Sequence, residues 1–432
     1  MVHFKKLFLS RISLVLFTGV TFLILAACSG PAKVELKTVF FPPLPDEPRI
    51  QYLTSFNSNG FITKEKSSFR LVVTGEEKED ADITIDKPLG IAVHNGVIYV
   101  CDMHQATVFM IDADKKRFES LKGNAGPGAL KKPAHVAVDA DGTIYVADTV
   151  RKEIMIYNAA GDFIQAVGRN LDMKPFAVVL SPDNIFVLDG LNNNVKVLDK
   201  VTYQLIREIG AGTTADDTIW RPFNMTKDSH GFLYVTNIGT CKVLKMDVDG
   251  HVLLAYGQQG DAPGMFARPR GVAVDDAGLI WVVDAAFQNV QIFNEKGRIL
   301  LGFGDPGSPA GSMNIPAGIA ITKDRMEYFR KFADPDFDVE QLIFVTNQSG
   351  FDMVEVYGFG TLKKGSALRS SAKSAKPAAS AKPMVAPVKS IESEPAKPAD
   401  SVKPDKLPKS AAPDEMSEPA DSAKPAAAAP SK

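Results

Sequence analysis

Pro133-Ala-His-Val-Ala-Val-Asp139, the turn Asp141-Gly142, the segment Thr143 to Ala147 closed by Asp148, and Glu153-Ile-Met-Ile-Tyr157 make one unit of the pattern that decides the fold. The apolar runs are short and bounded by Gly, Asp or Pro, which is how short strands joined by tight turns read. Gly161 supplies a further turn, and Phe163 to Val167 reads as a fourth strand. The unit recurs. A Pro opens a first strand at Pro88, Pro133, Pro175, Pro222, Pro269 and Pro316, at intervals of 45, 42, 47, 47 and 47 residues. A second strand then ends on Asp or Asn, at Asp102, Asp148, Asp189, Asn237, Asp284 and Asn347. A carboxylate or amide at a strand end accepts N–H groups of the following turn, and one copy per repeat indicates a structural part.

Repeats of 40 to 50 residues built from short strands are blades of a β-propeller. The sequence therefore predicts an all-β, six-bladed propeller with four-stranded blades over 49–360. Repeat six stops after its third strand, Met353-Val-Glu-Val-Tyr357, while Arg49-Ile-Gln-Tyr-Leu-Thr-Ser-Phe56 has no repeat of its own. The N-terminal strand is expected to complete the last blade and close the ring, removing edges that invite aggregation. Two insertions break the period: Phe61 to Asp86, and Thr322 to Gln341, where Met326 to Phe332 suits a helical turn or two.

Residues 1–27 read as a signal peptide: Lys5, Lys6 and Arg11 precede an apolar run from Ile12 to Leu25. Leu25-Ala26-Ala27-Cys28 resembles the bacterial lipobox, which implies diacylglyceryl transfer to Cys28 and anchorage in a membrane. Ser29 is not the Asp associated with inner-membrane retention, so the outer membrane is the expected location. Residues 28–48 read as a lipidated, Pro-rich tether. Residues 361–432 read as a disordered tail, since Ala, Pro, Lys and Ser dominate and no aromatic residue occurs after Phe359. Cys101 and Cys241 fall in opposite repeats and are expected to stay unpaired. Net charge is −2, which gives no general affinity for nucleic acid.

The repeats resemble NHL repeats. Pro269-Arg-Gly-Val-Ala-Val-Asp275, Ile280 to Asp284 and Val290-Gln-Ile-Phe293 carry the likeness most fully, and Pro175 and Pro222 lack the Gly that follows in that pattern. The lead into Arg49-Ile-Gln-Tyr also resembles a bacterial lipoprotein subgroup often encoded beside multihaem cytochromes. That implies a protein partner in an exported electron-transfer assembly. Six-bladed lyases of similar fold hold a metal with His residues placed directly after the strand-one Pro. The equivalent residues here are Leu89, Ala134, Phe176, Phe223, Arg270 and Ala317, so no metal and no cofactor is expected. Candidate binding residues near one mouth are His135, Arg221, Asn224, Arg268 and Arg270. Arg suits carboxylate or phosphate recognition. The leading expectation is a non-catalytic binding or scaffold module in the cell envelope. Two other readings stay open: a metal-dependent lyase or lactone hydrolase, and an envelope linker whose tail contacts peptidoglycan.

Overall fold

A computed structural model describes residues 38–63, 83–366 and 368, except 215, 308 and 326. The signal peptide, Cys28, the first part of the tether and the tail from residue 369 lie outside the described residues.

Six antiparallel sheets follow one another along the chain. Blade one comprises β3 (Pro88–His94), β4 (Val97–Asp102), β5 (Thr107–Asp112) and β6 (Arg117–Ser120). Blade two comprises β7 (Pro133–Val138), β8 (Ile144–Asp148), β9 (Glu153–Tyr157) and β10 (Phe163–Val167). Blades three, four and five repeat this order, beginning at β11 (Pro175–Leu180), β15 (Pro222–Lys227) and β19 (Pro269–Val274). Every first strand opens at the Pro read from the sequence. Proline lacks an N–H and is suited to the start of a strand at a sheet edge. The first strands are the inner ones, and each touches the next, from β3 round to β23 (Pro316–Thr322) and back to β3.

Blade six closes the ring. Its order is β1 (Phe40–Phe41), β2 (Ile50–Phe56), β25 (Val354–Leu362), β24 (Phe337–Asn347) and β23. The N-terminal strand pairs with β25 from Ile50 opposite Phe359 to Phe56 opposite Val354, as the sequence predicts. Two details differ from the sequence reading. This blade has five strands, because Phe40 and Phe41 pair with Gln51 and Ile50. The Pro-rich stretch is thus no free tether at its C-terminal end. Phe40 packs on Phe337, and Phe41 meets Phe303 and Tyr357. The last strand also runs to Leu362, past the Gly360 at which the sequence reading ended the domain.

Among the described residues the apolar side chains form six clusters, one between each pair of successive blades. The cluster joining blades six and one includes Leu53, Phe56, Ile91, Phe109, Phe344 and Val356. Burial is thus shared round the ring, and no blade can bury its faces alone. Cys101 and Cys241 are free thiols in two of these clusters.

The two insertions meet. A short helix at Gly60–Thr63 brings Phe61 within 5.6 Å of Tyr328 and 6.0 Å of Phe332, centroid to centroid. Tyr328 lies in the one-turn helix Glu327–Arg330 and Phe332 just after it, and the Tyr328 hydroxyl donates to the Phe61 carbonyl. Aromatic pairs at this spacing add to simple burial.

Candidate binding face and central channel

Two faces follow from the strand directions. Strand one begins where strand two ends, so Pro133 lies opposite Asp148, and likewise in every blade. The connectors into strand one and the turns between strands two and three therefore share one end of the ring, the proline face. The turns between strands one and two mark the opposite, hairpin face.

The strand-two carboxylates are fully buried. Asp148 accepts from the N–H groups of Lys131 and Lys132 on one side and of Val150 and Arg151 on the other. Asp284 does the same with Ala267, Arg268, Ala286 and Phe287. Asp102 accepts from Asp86, Lys87, His104 and Gln105, and Asp189 from Lys174, Leu191 and the Asn192 amide. Each carboxylate ties the entering connector to the following turn. At Asn237 and Asn347 the amide oxygen still accepts, from Trp220 and Asn314, and the NH2 donates to the Thr218 and Asp352 carbonyls. These groups are spent on the backbone and offer no array for chemistry.

In blades four and six a Thr precedes that Asn. Thr236 donates to the Arg270 carbonyl of the next blade, and Thr346 to the Leu89 carbonyl. Both also accept from strand one of their own blade, at Asn224 N–H and Gly318 N–H. Asn224 is buried, and its N–H serves this stitch between blades.

Inside the inner strands runs a channel of about 380 Å³, walled mainly by Val, Ile and Ala side chains from all six blades. His135 and Lys227 are its titratable groups. His135 accepts through Nδ1 from the Val178 N–H at 3.4 Å, which leaves the proton on Nε2. Burial pushes this imidazole down to about 4, so the ring is neutral at physiological pH. Among the described residues no three His, Cys, Asp or Glu side chains come together as a metal site.

Arg270 sits beyond the channel wall toward the proline face. Its Nη1 donates to Gln348 at 2.7 Å, and its guanidinium lies 5.2 Å above the Phe223 ring. Phe223 in turn is 6.4 Å from Phe176. Burial, and then the neighbouring Arg268, push Arg270 down to about 10, so it remains charged. Arg221 and Arg268 are exposed on the connectors beside it. The structure thus brings Arg268 and Arg270 together, joins the Asn224 N–H to the Arg270 carbonyl through the Thr236 hydroxyl, and leaves His135 inside the channel. A second cleft of about 200 Å³ opens on the hairpin face between blades four and five. Its buried acids are already engaged. Asp228 accepts from the Tyr234 hydroxyl, and Asp275 from Trp281 Nε1 and Gln341 Nε2.

The proline face also carries exposed apolar side chains: Val150, Leu191, Trp220, Ile315 and Phe351, at 54, 46, 52, 41 and 88% exposure. Another exposed set, including Ile164, Leu253 and Leu300, points outward from the fourth strands.

A 6-bladed beta-propeller family model matches residues 78–219, and an NHL repeat model matches residues 266–293. No curated protein matches the chain significantly. Solved structures similar to this chain include a gluconolactonase from Xanthomonas campestris, at 15% identity over 73% of this chain and 90% of that one, with a TM-score of 0.47. Virginiamycin B lyase from Staphylococcus aureus is similar at 14% identity over 63% and 84%, with a TM-score of 0.43. Hydrazine synthase from Kuenenia stuttgartiensis is similar at 11% over 67% and 99%, with a TM-score of 0.44. Likenesses at this identity concern the fold alone.

Proposed function

Taking the chain as a six-bladed β-propeller with an NHL repeat, we propose that it is a non-catalytic binding module that docks a protein partner on its proline face. Lipid on Cys28 would hold it in a bacterial cell envelope, with the outer membrane as the favoured site, and an exported electron-transfer assembly is the partner class that the sequence resemblance suggests.

The observation that carries this reading is the gathering of Trp220, Leu191, Val150, Ile315 and Phe351 on turns around one end of the ring. Large exposed apolar side chains set among polar neighbours mark interaction surfaces, and Trp and Arg are enriched where binding energy concentrates. The polar groups nearest the channel support a binding role over catalysis. His135 is neutral and bonded to a backbone N–H, and the strand-two carboxylates are saturated by backbone donors. A general base needs a free lone pair near a substrate proton, and a metal needs converging ligands.

The test is in-cell crosslinking of the tagged chain, purification, and mass spectrometry of what accompanies it. The expected result is one envelope protein at near-equal amount, lost when Trp220 and Leu191 are both changed to Ala. Unchanged recovery in that variant, or a stoichiometric Ca or Zn in protein prepared in metal-free buffers, would contradict the reading.

A further inference from the structure

The residue immediately before each strand-one Pro forms a ring of its own. In order these are Lys87, Lys132, Lys174, Arg221, Arg268 and Ile315. Five of the six are cationic. Because the six inner strands touch in a closed circle, these positions encircle the axis on the proline face. Lys87, Lys174, Arg221 and Arg268 are exposed and Lys132 is half-buried.

Backbone bonds hold all five cations in place: the N–H groups of Lys87, Lys132, Lys174 and Arg268 all bond the strand-two carboxylates, and Arg221 N–H bonds Asn193 Oδ1. Their side chains make no ion pair among the described residues; Lys174 instead lies 5.4 Å from the Phe176 ring. Of the acids on these connectors, Asp86 pairs with His104, Asp172 with Lys152 and Asp216 with Lys242, while Asp261 and Asp305 are exposed on the connectors into blades five and six. Arg270 adds a sixth positive charge inside the ring, held by Gln348 and by Phe223, with its Nε–H buried and unpartnered. The proline face of a chain of net charge −2 therefore carries a ring of cations whose side chains have no ion-pair partner among the described residues, backed by the buried strand-two carboxylates.

Like charges gathered on rigid connectors repel one another, and an anion removes that repulsion. Exposed Trp220, Leu191 and Phe351 sit beside the ring. That combination fits a ligand offering carboxylates and apolar side chains together. Resting on the protein-docking reading above, we infer that the partner presents an acidic, aromatic-containing peptide segment that lies across the cation ring, with a carboxylate reaching Arg270. A recessed guanidinium backed by an aromatic ring suits a side-chain carboxylate on a narrow chain better than a flat lipid surface.

The test uses the full-length chain and a fluorescein-labelled peptide of about twelve residues, rich in Asp and Glu with one Trp, followed by anisotropy. Binding is expected, with affinity falling roughly tenfold between low and moderately high NaCl. The Lys87→Glu, Lys174→Glu, Arg268→Glu triple variant should weaken binding at least about tenfold. Gln at the same three positions should weaken it about threefold or more with an unchanged thermal melt, while Lys296→Glu on the hairpin face should leave it within about twofold. Three results would overturn the inference: no peptide binding, binding indifferent to both ring variants, or ring-dependent binding of phosphatidylglycerol vesicles without binding of the peptide. If the peptide fails while a Trp220-dependent protein partner is still recovered, only the acidic-segment inference falls. If no such partner is recovered either, the docking reading falls with it.

Discussion

Glu355 is the residue whose environment most opposes its chemistry. It is the second residue of β25 in blade six and lies opposite Val345, the place held by Gln291 opposite Val282 in blade five and by Lys196 opposite Val187 in blade three. Gln291 clips its connector by accepting from Gly264 N–H and donating to the Met265 carbonyl. Lys196 pairs with Asp189 and Glu208. Glu355 accepts from the Tyr357 hydroxyl through one oxygen, while the other is buried without a partner. Burial pushes its carboxyl up to about 8. The folded state therefore holds a proton that the unfolded chain releases near pH 4.5, so this contribution to stability is complete below about pH 4.5 and declines as pH rises towards 8. Glu355→Gln is expected to stabilise the protein by on the order of 2 to 4 kcal/mol at pH 8 and to change little at pH 4, read from denaturant melts at the two values. His135 runs the other way. Lowered to about 4, it is neutral when folded and withholds a proton that the unfolded chain takes up below about 6.5, so its share of stability is lost as pH falls. Its imidazole carbon shifts should stay those of a neutral ring at pH 5.5; a protonated ring there would contradict the channel environment described. Asp148→Ala, which strands four backbone donors, should destabilise by roughly 2 to 4 kcal/mol in a thermal or urea melt.

At the scale of elements, closure decides whether the ring exists. β2 enters blade six between β1 and β25, and its Ile50, Leu53 and Phe56 are buried in the clusters on either side of that blade. Deleting residues up to Phe56 exposes an edge of β25 and two apolar clusters, and the product is expected to be insoluble or aggregated. Deletion ending at Pro48 removes only the two-residue β1, with its Phe40 and Phe41 contacts, and should fold with a lowered melting temperature. Comparable melts from the two truncations would contradict the closing role. The inner strands impose a second constraint. A Cβ at Gly318 would lie 2.2 Å from the Leu89 carbonyl oxygen, and one at Gly271 2.6 Å from that of Ala317. Gly at this position is what lets neighbouring first strands approach, and Gly318→Ala should cost about 1 to 3 kcal/mol in a denaturant melt. In blades two, three and four His135, Ala177 and Asn224 stand at the same position, with β7, β11 and β15 still in contact. The departures of those repeats from the Gly pattern are thus accommodated by local spacing.

Across the whole molecule, the blade number, the first-strand starts and the closing strand were legible because each is written six times, or is conspicuous for having no repeat. A Pro at each strand start and an Asp or Asn at each second-strand end are local requirements of backbone and turn, and local requirements leave marks in sequence. β1 was not legible, because Phe40-Phe-Pro-Pro-Leu-Pro45 has the composition of an extended tether, and although it pairs with the adjacent β2, its rings pack on Phe303, Phe337 and Tyr357, far along the chain. The meeting of the two insertions is likewise a property of ring closure. The proposed binding face was partly legible. Arg221, Arg268 and Arg270 stood out as arginines, whereas Lys87, Lys132 and Lys174 carry no local signal that sets them apart from other lysines. The signal was available in the alignment of residues preceding each Pro, but its meaning depends on those positions forming a circle. The central claim is that this face is where a partner sits. The most direct measurement places a photo-crosslinking amino acid at position 220 on the proline face and, separately, at position 201 on the hairpin face, and compares the adducts formed in cells. One discrete adduct is expected from position 220, and none of the same mass from 201. Equal adducts from both positions, or an adduct from 201 alone, would contradict it.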